Sequence, residues 1–210
     1  VSSRTYGGVT ADRRRADRRT ALLEAALDLL GTEGLRATSL RAVCARAGLN
    51  PRYFYENFTG LDALLTEVYD RIITEITDAV AQGVAGAPDA DLRTTVRSAA
   101  AAALAVGTAD PRKARVALIE APASPVLRTR QRAAHRRNAL LVIDYARTFY
   151  DIPPTADAQL HFTATMLVAG WSENLIAWLD GDLPATPSTL ADMFADAAEA
   201  LATHAATHPR

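Results

Sequence analysis

The sequence predicts an all-α protein of about nine helices, with a three-helix helix-turn-helix head at the N-terminus and a larger helical body behind it. Three observations predict this class. Apolar residues recur at intervals of three and four along most of the chain, and no stretch alternates as a strand would. A capping residue followed by proline recurs at Asn50-Pro51, Asp110-Pro111, Ser124-Pro125 and Thr186-Pro187, each time ahead of a helical apolar pattern. Hydrophobic residues make up 49% of the 210, enough for a substantial core, yet no apolar run is long and unbroken enough to span a membrane.

The elements follow in order. Leu22, Ala25, Ala26, Leu29 and Leu30 share one face of a first helix, and Gly34 is its stop. Leu40, Val43, Cys44 and Ala47 mark a short second helix. Gly48 suits the residue just past its end, because glycine enters the left-handed conformation without a Cβ clash. Asn50 then caps and Pro51 opens a third helix, marked by Phe54 and Phe58, with Leu49 as the plug into the core. Two helices joined by so tight a turn form a helix-turn-helix candidate. A long fourth helix carries Leu61, Leu64, Leu65, Val68, Ile72, Ile76 and Val80, with Thr59 and Asp62 at its start. Gly86-Ala87-Pro88 and Gly181-Asp182-Leu183-Pro184 read as loops, and Pro153-Pro154 as a break before another helix. The alanine-rich run 99–105 reads as the core of a closely packed helix. The division expected is a basic arm over 1–16, a three-helix head over 17–58 and a larger helical body over 59–210.

The net charge of −1 hides an asymmetry. Residues 1–60 carry a charge of +4 and residues 61–210 carry −5. Arg13, Arg14, Arg15, Arg18 and Arg19 crowd the start. A basic head on an acidic body points to a polyanion partner for the head alone, the plainer alternative being a solvated arm. No apolar block follows the polar, arginine-rich N-terminus, as a signal peptide would require. The single cysteine, Cys44, makes no internal disulfide. A cytoplasmic protein is the expectation.

The stretch "ALLEAALDLLGTEGLRATSLRAVCARAGLNPRYFYENFTGLDALLTEVYDR" resembles the N-terminal pattern of the TetR family of transcriptional regulators. The resemblance rests on Gly34, Thr38-Ser39, Ala47-Gly48, the Tyr55 and Phe58 spacing, and Asp62 with Leu64, in one order and without a gap. Beyond it, helix count and the stretch "GWSENLIAWLDGDLP" are similar in style. The resemblance implies a DNA-binding homodimer with a ligand-responsive body, usually a repressor released by a small molecule. Two departures stand out. Leu61 occupies the place of a family lysine that contacts phosphate, and Arg52-Tyr53 is bulkier than the Gly-Thr or Gly-Ala common near the start of the third helix. The rival reading is an all-helical ligand-binding protein or enzyme whose head has lost DNA binding.

Residue roles follow from position and motif. Arg52, in the first turn of the third helix, can bind guanine O6 and N7 together. Tyr53 is placed for a base or thymine-methyl contact, or for packing within the head. Tyr55 offers a phenol to a phosphate oxygen, a role the resemblance supports; Asn57 is expected to touch a base or phosphate, or to make an ordinary helix-end hydrogen bond, and Asn50 is counted with the DNA-binding residues. Thr38 and Ser39, with the free N–H groups of the second helix, make a phosphate site. Arg41 aligns with a position that reaches DNA in some family members; Arg46 reads as solvated. Arg13, Arg14 and Arg15 would neutralise phosphates. Phe54, Phe58 and Cys44 read as core.

In the body, the helix from Pro125 to Tyr150 carries an expected apolar stripe of Leu127, Ala134, Leu141, Tyr145 and Phe149. Gln131 and Asn138 fall on that stripe and His135 beside it. Polar groups on a buried face need partners. Other helices or water can supply these partners; the alternative is a ligand set of His135, Asn138, Tyr145 and Phe149, with Phe162 from the next helix, around an apolar or aromatic molecule. For dimerisation, Leu160, Leu167, Trp171 and Trp178 along one helix, and Leu190, Phe194, Ala197 and Leu201 along the last, would form a four-helix bundle with their copies, the alternative being burial of some of them inside one chain. His135, His161, His204 and His208 lack metal-ligand spacing with acidic or cysteine partners, apart from His204 and His208 at i,i+4. No Ser-His-Asp order, Gly-rich phosphate loop or paired-carboxylate motif stands out, so no enzymatic activity, metal or cofactor is expected.

Overall fold

The computed structural model describes residues 11–207; the first ten residues of the expected arm, and His208, lie outside it. Among the described residues every regular element is helical. Helix α1 runs Ala11–Thr32, so Arg13, Arg14 and Arg15 stand on its first turns instead of in an arm ahead of it. It buries Leu22, Ala26 and Leu30 completely. Its end is closed by the N–H groups of Glu33 and Gly34, both donating to the Leu29 carbonyl, with Gly34 at φ +84°.

Helix α2 (Leu40–Ala47) is capped by Ser39, whose hydroxyl accepts from the Ala42 N–H at 3.2 Å. It ends at Gly48, where φ is +65°, and the Leu49 N–H returns to the Cys44 carbonyl at 2.9 Å. Helix α3 (Pro51–Tyr55) is capped by Asn50, which accepts from the Arg52 N–H at 2.9 Å. It is shorter than the Phe54/Phe58 spacing predicts. Phe58 lies beyond its end, yet both rings are buried and 5.7 Å apart between centroids. Helix α4 spans Leu61–Ala85 and buries Leu64, Leu65, Val68, Tyr69 and Ile72 along its first half.

Helix α5 (Leu92–Ala109) begins at Asp91, whose carboxylate accepts from the Thr94 N–H at 2.8 Å. A short α6 (Pro111–Arg115) passes into a π-helical segment, Val116–Glu120, in which the Ala121 N–H donates to the Val116 carbonyl five residues back. A last turn, α7 (Ala121–Ala123), follows. Helix α8 (Pro125–Phe149), helix α9 (Asp157–Leu179) and helix α10 (Pro187–Thr207) complete the chain, with a 3₁₀ turn at Pro154–Ala156. The capping reading holds at Ser124, which accepts from the Leu127 N–H, and at Thr186, which accepts from the Thr189 N–H.

Tertiary contacts divide the chain into two units. The first takes the N-terminal residues as far as Ile72, together with Pro111–Arg128. In it α1 packs on α2, α3 and α6. The second takes Ile73–Asp110 and Thr129–Arg210. There α10 lies along α5, held by Arg93 to Asp196 and Arg97 to Asp192, each at 2.6 Å. The alanine-rich α5 packs closely, as expected: a Cβ at Gly83 of α4 would stand 3.0 Å from the Ser98 carbonyl oxygen and 3.1 Å from the Ala102 methyl.

One expectation about the second unit needs correction, and another is narrowed by burial. The buried stripe of α8 is Leu127, Ala134, Ala139, Ile143 and Ala146, not the one through Leu141 and Phe149, which are 44% and 38% exposed. Small residues win because they let the helix approach its neighbours closely. The expected stripe weighted side-chain size instead. On α9 and α10, Leu160, Leu167 and Leu190 are spent on the chain's own core. Trp171 packs on Phe194 with centroids 4.4 Å apart, and the Trp178 indole N–H donates to the Ala185 carbonyl at 2.8 Å. Leu201 is half-buried, and of the eight residues expected at an interface only Ala197 is exposed. The large apolar side chains these helices leave most open are Phe162, Met166 and Met193, 68%, 48% and 54% exposed.

Candidate nucleic-acid interface

The turn Gly48-Leu49 sets α3 after α2, and the local chemistry decides which α3 side chains are free. Phe54 is wholly buried and fixes the inner face of the helix. Arg52 and Tyr55 are then left outward. The Arg52 side chain is 84% exposed, held only by a 3.3 Å contact from its Nε to Glu56. Tyr55 is 64% exposed, its ring set edge-on to Phe54 at 5.6 Å between centroids. Arg41 and Ser39 are exposed on α2.

Other expected contacts are already committed within the head. Thr38 is buried, and its hydroxyl donates to the Gly34 carbonyl at 2.9 Å, so it braces the α1–α2 turn instead of facing a phosphate. Asn50 is spent on its cap. Asn57 donates from Nδ2 to the Tyr53 carbonyl at 2.7 Å, and its Oδ1 is buried. Tyr53 sits at the margin of exposure beneath the Arg18 guanidinium, 4.4 Å from its ring centre. Arg46, read as solvated, pairs with Asp28 and Glu33. Burial pushes the Cys44 thiol above its ordinary pKa, so it stays a protonated core group.

The basic start of the chain divides in the same way. Arg15 donates to the Glu56 carbonyl and Arg19 to the Asn57 carbonyl, each at 2.7 Å. These are carbonyls at the end of α3, where cations are favoured. Arg18 also faces the Glu56 carboxylate at 3.6 Å. Arg19 lies 4.3 Å over the Phe58 ring and pairs with Glu67 of α4. Arg15, Arg18 and Arg19 of α1 thus hold α3 in place. Arg18 and Arg19 were missed as head-organising residues, although a signal was present. They lie four and three residues before Leu22, one turn along its buried stripe. Arg13 is exposed and Arg14 half-buried on the preceding turns.

The residues expected to hold a ligand differ in burial. His135 is half-buried, with Nε2 3.3 Å from the Ser172 hydroxyl, and Tyr145 packs against the apolar cluster around Ile143 and Leu160. Asn138, Phe149 and Phe162 are exposed, the first two because of the phase of α8 described above. Among the described residues no group of three or more His, Cys, Asp or Glu is placed to hold a metal ion, and no helix is long and apolar enough to cross a membrane.

A helix-turn-helix with an exposed arginine and tyrosine on its second helix, inside an all-helical chain, defines a DNA-binding regulator. The sequence profile described as "Bacterial regulatory proteins, tetR family" matches residues 22–68, which span the second half of α1, all of α2 and α3, and the start of α4. Over residues 22–68 the chain has the N-terminal helix-turn-helix domain of the TetR family of transcriptional regulators. It is similar in fold to a TetR-like transcriptional regulator from Rhodococcus sp. RHA1, with 19% identity over 87% of this chain and 93% of that one, at a TM-score of 0.70. A second regulator from the same organism gives 16% identity, 91% and 99% coverage, and a TM-score of 0.72. The fatty acid degradation regulator FadR from Bacillus halodurans gives 14% identity, 92% and 97% coverage, and a TM-score of 0.66. No curated protein matches the sequence.

Proposed function

We propose that the chain is a repressor that binds a near-palindromic operator as a homodimer and is released by a small apolar or aromatic molecule. The observation that carries the DNA reading is the division of labour in the head. Arg15, Arg18 and Arg19 are spent on holding α3, while Arg52 and Tyr55 on α3 stand open. In this reading Arg52 contacts base edges and Tyr55 a phosphate, with Tyr53 alongside. Ser39, Arg41 and the free N–H groups at the start of α2 take further phosphates, as do Arg13 and Arg14. Two heads related by a two-fold axis would read half-sites about 34 Å apart, or a multiple of that.

Dimerisation is assigned to the open faces of α9 and α10, through Phe162, Met166, Met193 and Ala197. The release signal is assigned to the second unit, where Tyr145 packs against an apolar cluster and His135 faces the Ser172 hydroxyl. A ligand lowers operator affinity only by preferring one arrangement of the two heads over another. The test is gel retardation of the DNA upstream of the chain's own gene, followed by thermal-shift screening and repetition with each ligand found. Retarded DNA that a ligand then frees is the expected result. A well-folded protein that retards none of its upstream DNA at micromolar concentration overturns the reading.

A further inference from the structure

Glu120 is 7% exposed and closes the π-helical segment Val116–Glu120, in an otherwise apolar stretch. A buried carboxylate is expensive unless hydrogen bonds and an opposite charge offset its lost hydration. Here both are supplied. Oε2 accepts from the Leu35 N–H at 2.8 Å. Oε1 accepts from Nε of Arg115 at 3.2 Å, with a second guanidinium nitrogen at the same distance. The contact joins residues 85 apart in sequence, within the first unit.

What the carboxylate grips is the turn between α1 and α2. Gly34 holds φ +84° there, and a Cβ on it would stand 3.1 Å from Oε1, so this position is fitted to Glu120 as well as to the backbone. From Leu35 the turn continues through the Thr38 N–H, which donates to the Leu35 carbonyl at 3.1 Å, and the Thr38 hydroxyl, which donates to the Gly34 carbonyl. Ser39, the cap of α2, comes next. The π turn itself aims the group. An α-helical register places one residue fewer in the turn, and one residue is about 100° of rotation about the helix axis.

We propose that Glu120 is a positioning residue for DNA binding: by holding the Gly34–Leu35 turn from the π-helical segment, it sets the N-terminus of α2, with Ser39 and its free N–H groups, where phosphate is met. This rests on the reading of α2 as a phosphate-contacting helix. It assigns a long-range role in recognition to a residue outside the helix-turn-helix.

Phosphate contacts carry no sequence information, so their loss has a signature that general destabilisation lacks. Glu120→Ala, assayed as a folded protein well below its melting midpoint, is expected to lose about tenfold in affinity for operator and for unrelated DNA alike. The slope of log affinity against log salt should fall by about 2, one phosphate per subunit of a dimer. Glu120→Gln keeps an oxygen that can accept from Leu35, and should stay within about threefold of the wild type. If Glu120→Ala does not fold, Glu120→Asp replaces it, because the shorter arm withdraws the carboxylate from Leu35 while keeping the charge. Wild-type affinity and salt slope in the shortened variant overturn the proposal. So does a loss confined to the operator, which would place the effect on α3. A wild-type chain with no affinity for any DNA would instead sink the underlying reading, and the proposal with it.

Discussion

At the residue scale, exposure separates side chains free to recognise DNA from those that build the reader. Arg52→Ala should leave the fold intact, lower operator affinity by about tenfold to a hundredfold and relax preference at the base it reads, as measured by binding to operators altered one base at a time. Unchanged preference would assign Arg52 to solvent. Arg19→Ala should act differently. Its guanidinium joins the Asn57 carbonyl, the Phe58 ring and Glu67, partly shielded from water. Its loss should cost about 1–2 kcal/mol in urea unfolding and should weaken operator binding through displacement of α3. His135 gives a pH signature. Burial lowers its pKa from the usual value near 6.5. The unfolded chain therefore takes up this proton more readily than the folded one, so the residue withdraws stability as pH falls through about 6.5 toward the lower folded value. Denaturation midpoints between pH 7.5 and pH 5.5 should fall more steeply for the wild type than for His135→Gln; parallel slopes would assign the pH response to other groups.

At the scale of the element, helix boundaries were legible because they are written in local chemistry. Asn50-Pro51, Ser124-Pro125, Thr186-Pro187 and the glycines at 34 and 48 act within a few residues, and the structure uses each of them. Gly48→Ala should cost about 1 kcal/mol for a Cβ at φ +65°, and little beyond it, since no atom lies within 4 Å of that Cβ. A larger loss of stability would mean that the turn shifts α3. Helix phase was less legible. On α8 alanines outcompete Leu141 and Phe149 for the core, a choice set by how closely the neighbouring helices approach, which no single-helix pattern encodes. The same helix carries Arg128, Arg132 and Arg136 at four-residue intervals, all exposed. Like charges at that spacing oppose the helix. Arg132→Glu should replace two repulsions by two attractions and raise the melting midpoint by about 1–2 °C. A lowered midpoint would show that the Arg132 side chain makes a stabilising contact that the substitution removes.

At the scale of the whole molecule, what the sequence could not reveal is which apolar residues a chain spends on itself and which it leaves for a partner. Leu160, Leu167, Leu190, Trp171 and Trp178 have the spacing of an interface, and the same spacing serves a core equally well. Glu120 is hidden for a related reason: its partner at Leu35 lies 85 residues away, and nothing near it in sequence marks the π turn. Burial now sharpens the dimer prediction. Phe162 and Met166 lie one turn apart on α9, as do Met193 and Ala197 on α10, and all four are exposed. Large apolar side chains open to water favour association, and an isologous pairing of these faces would create the two-fold axis that a palindromic site demands. Phe162→Asp and Met193→Asp alter exposed positions, so each should fold, yet sediment as a monomer at micromolar concentration where the wild type should sediment as a dimer. Operator affinity should fall steeply in both, while the weaker affinity for a single half-site stays unchanged, because each head remains intact. Trp178→Asp should instead unfold the chain, since that indole is tied to the Ala185 carbonyl inside it. A Phe162→Asp protein that still sediments as a dimer would move the two-fold axis to another face.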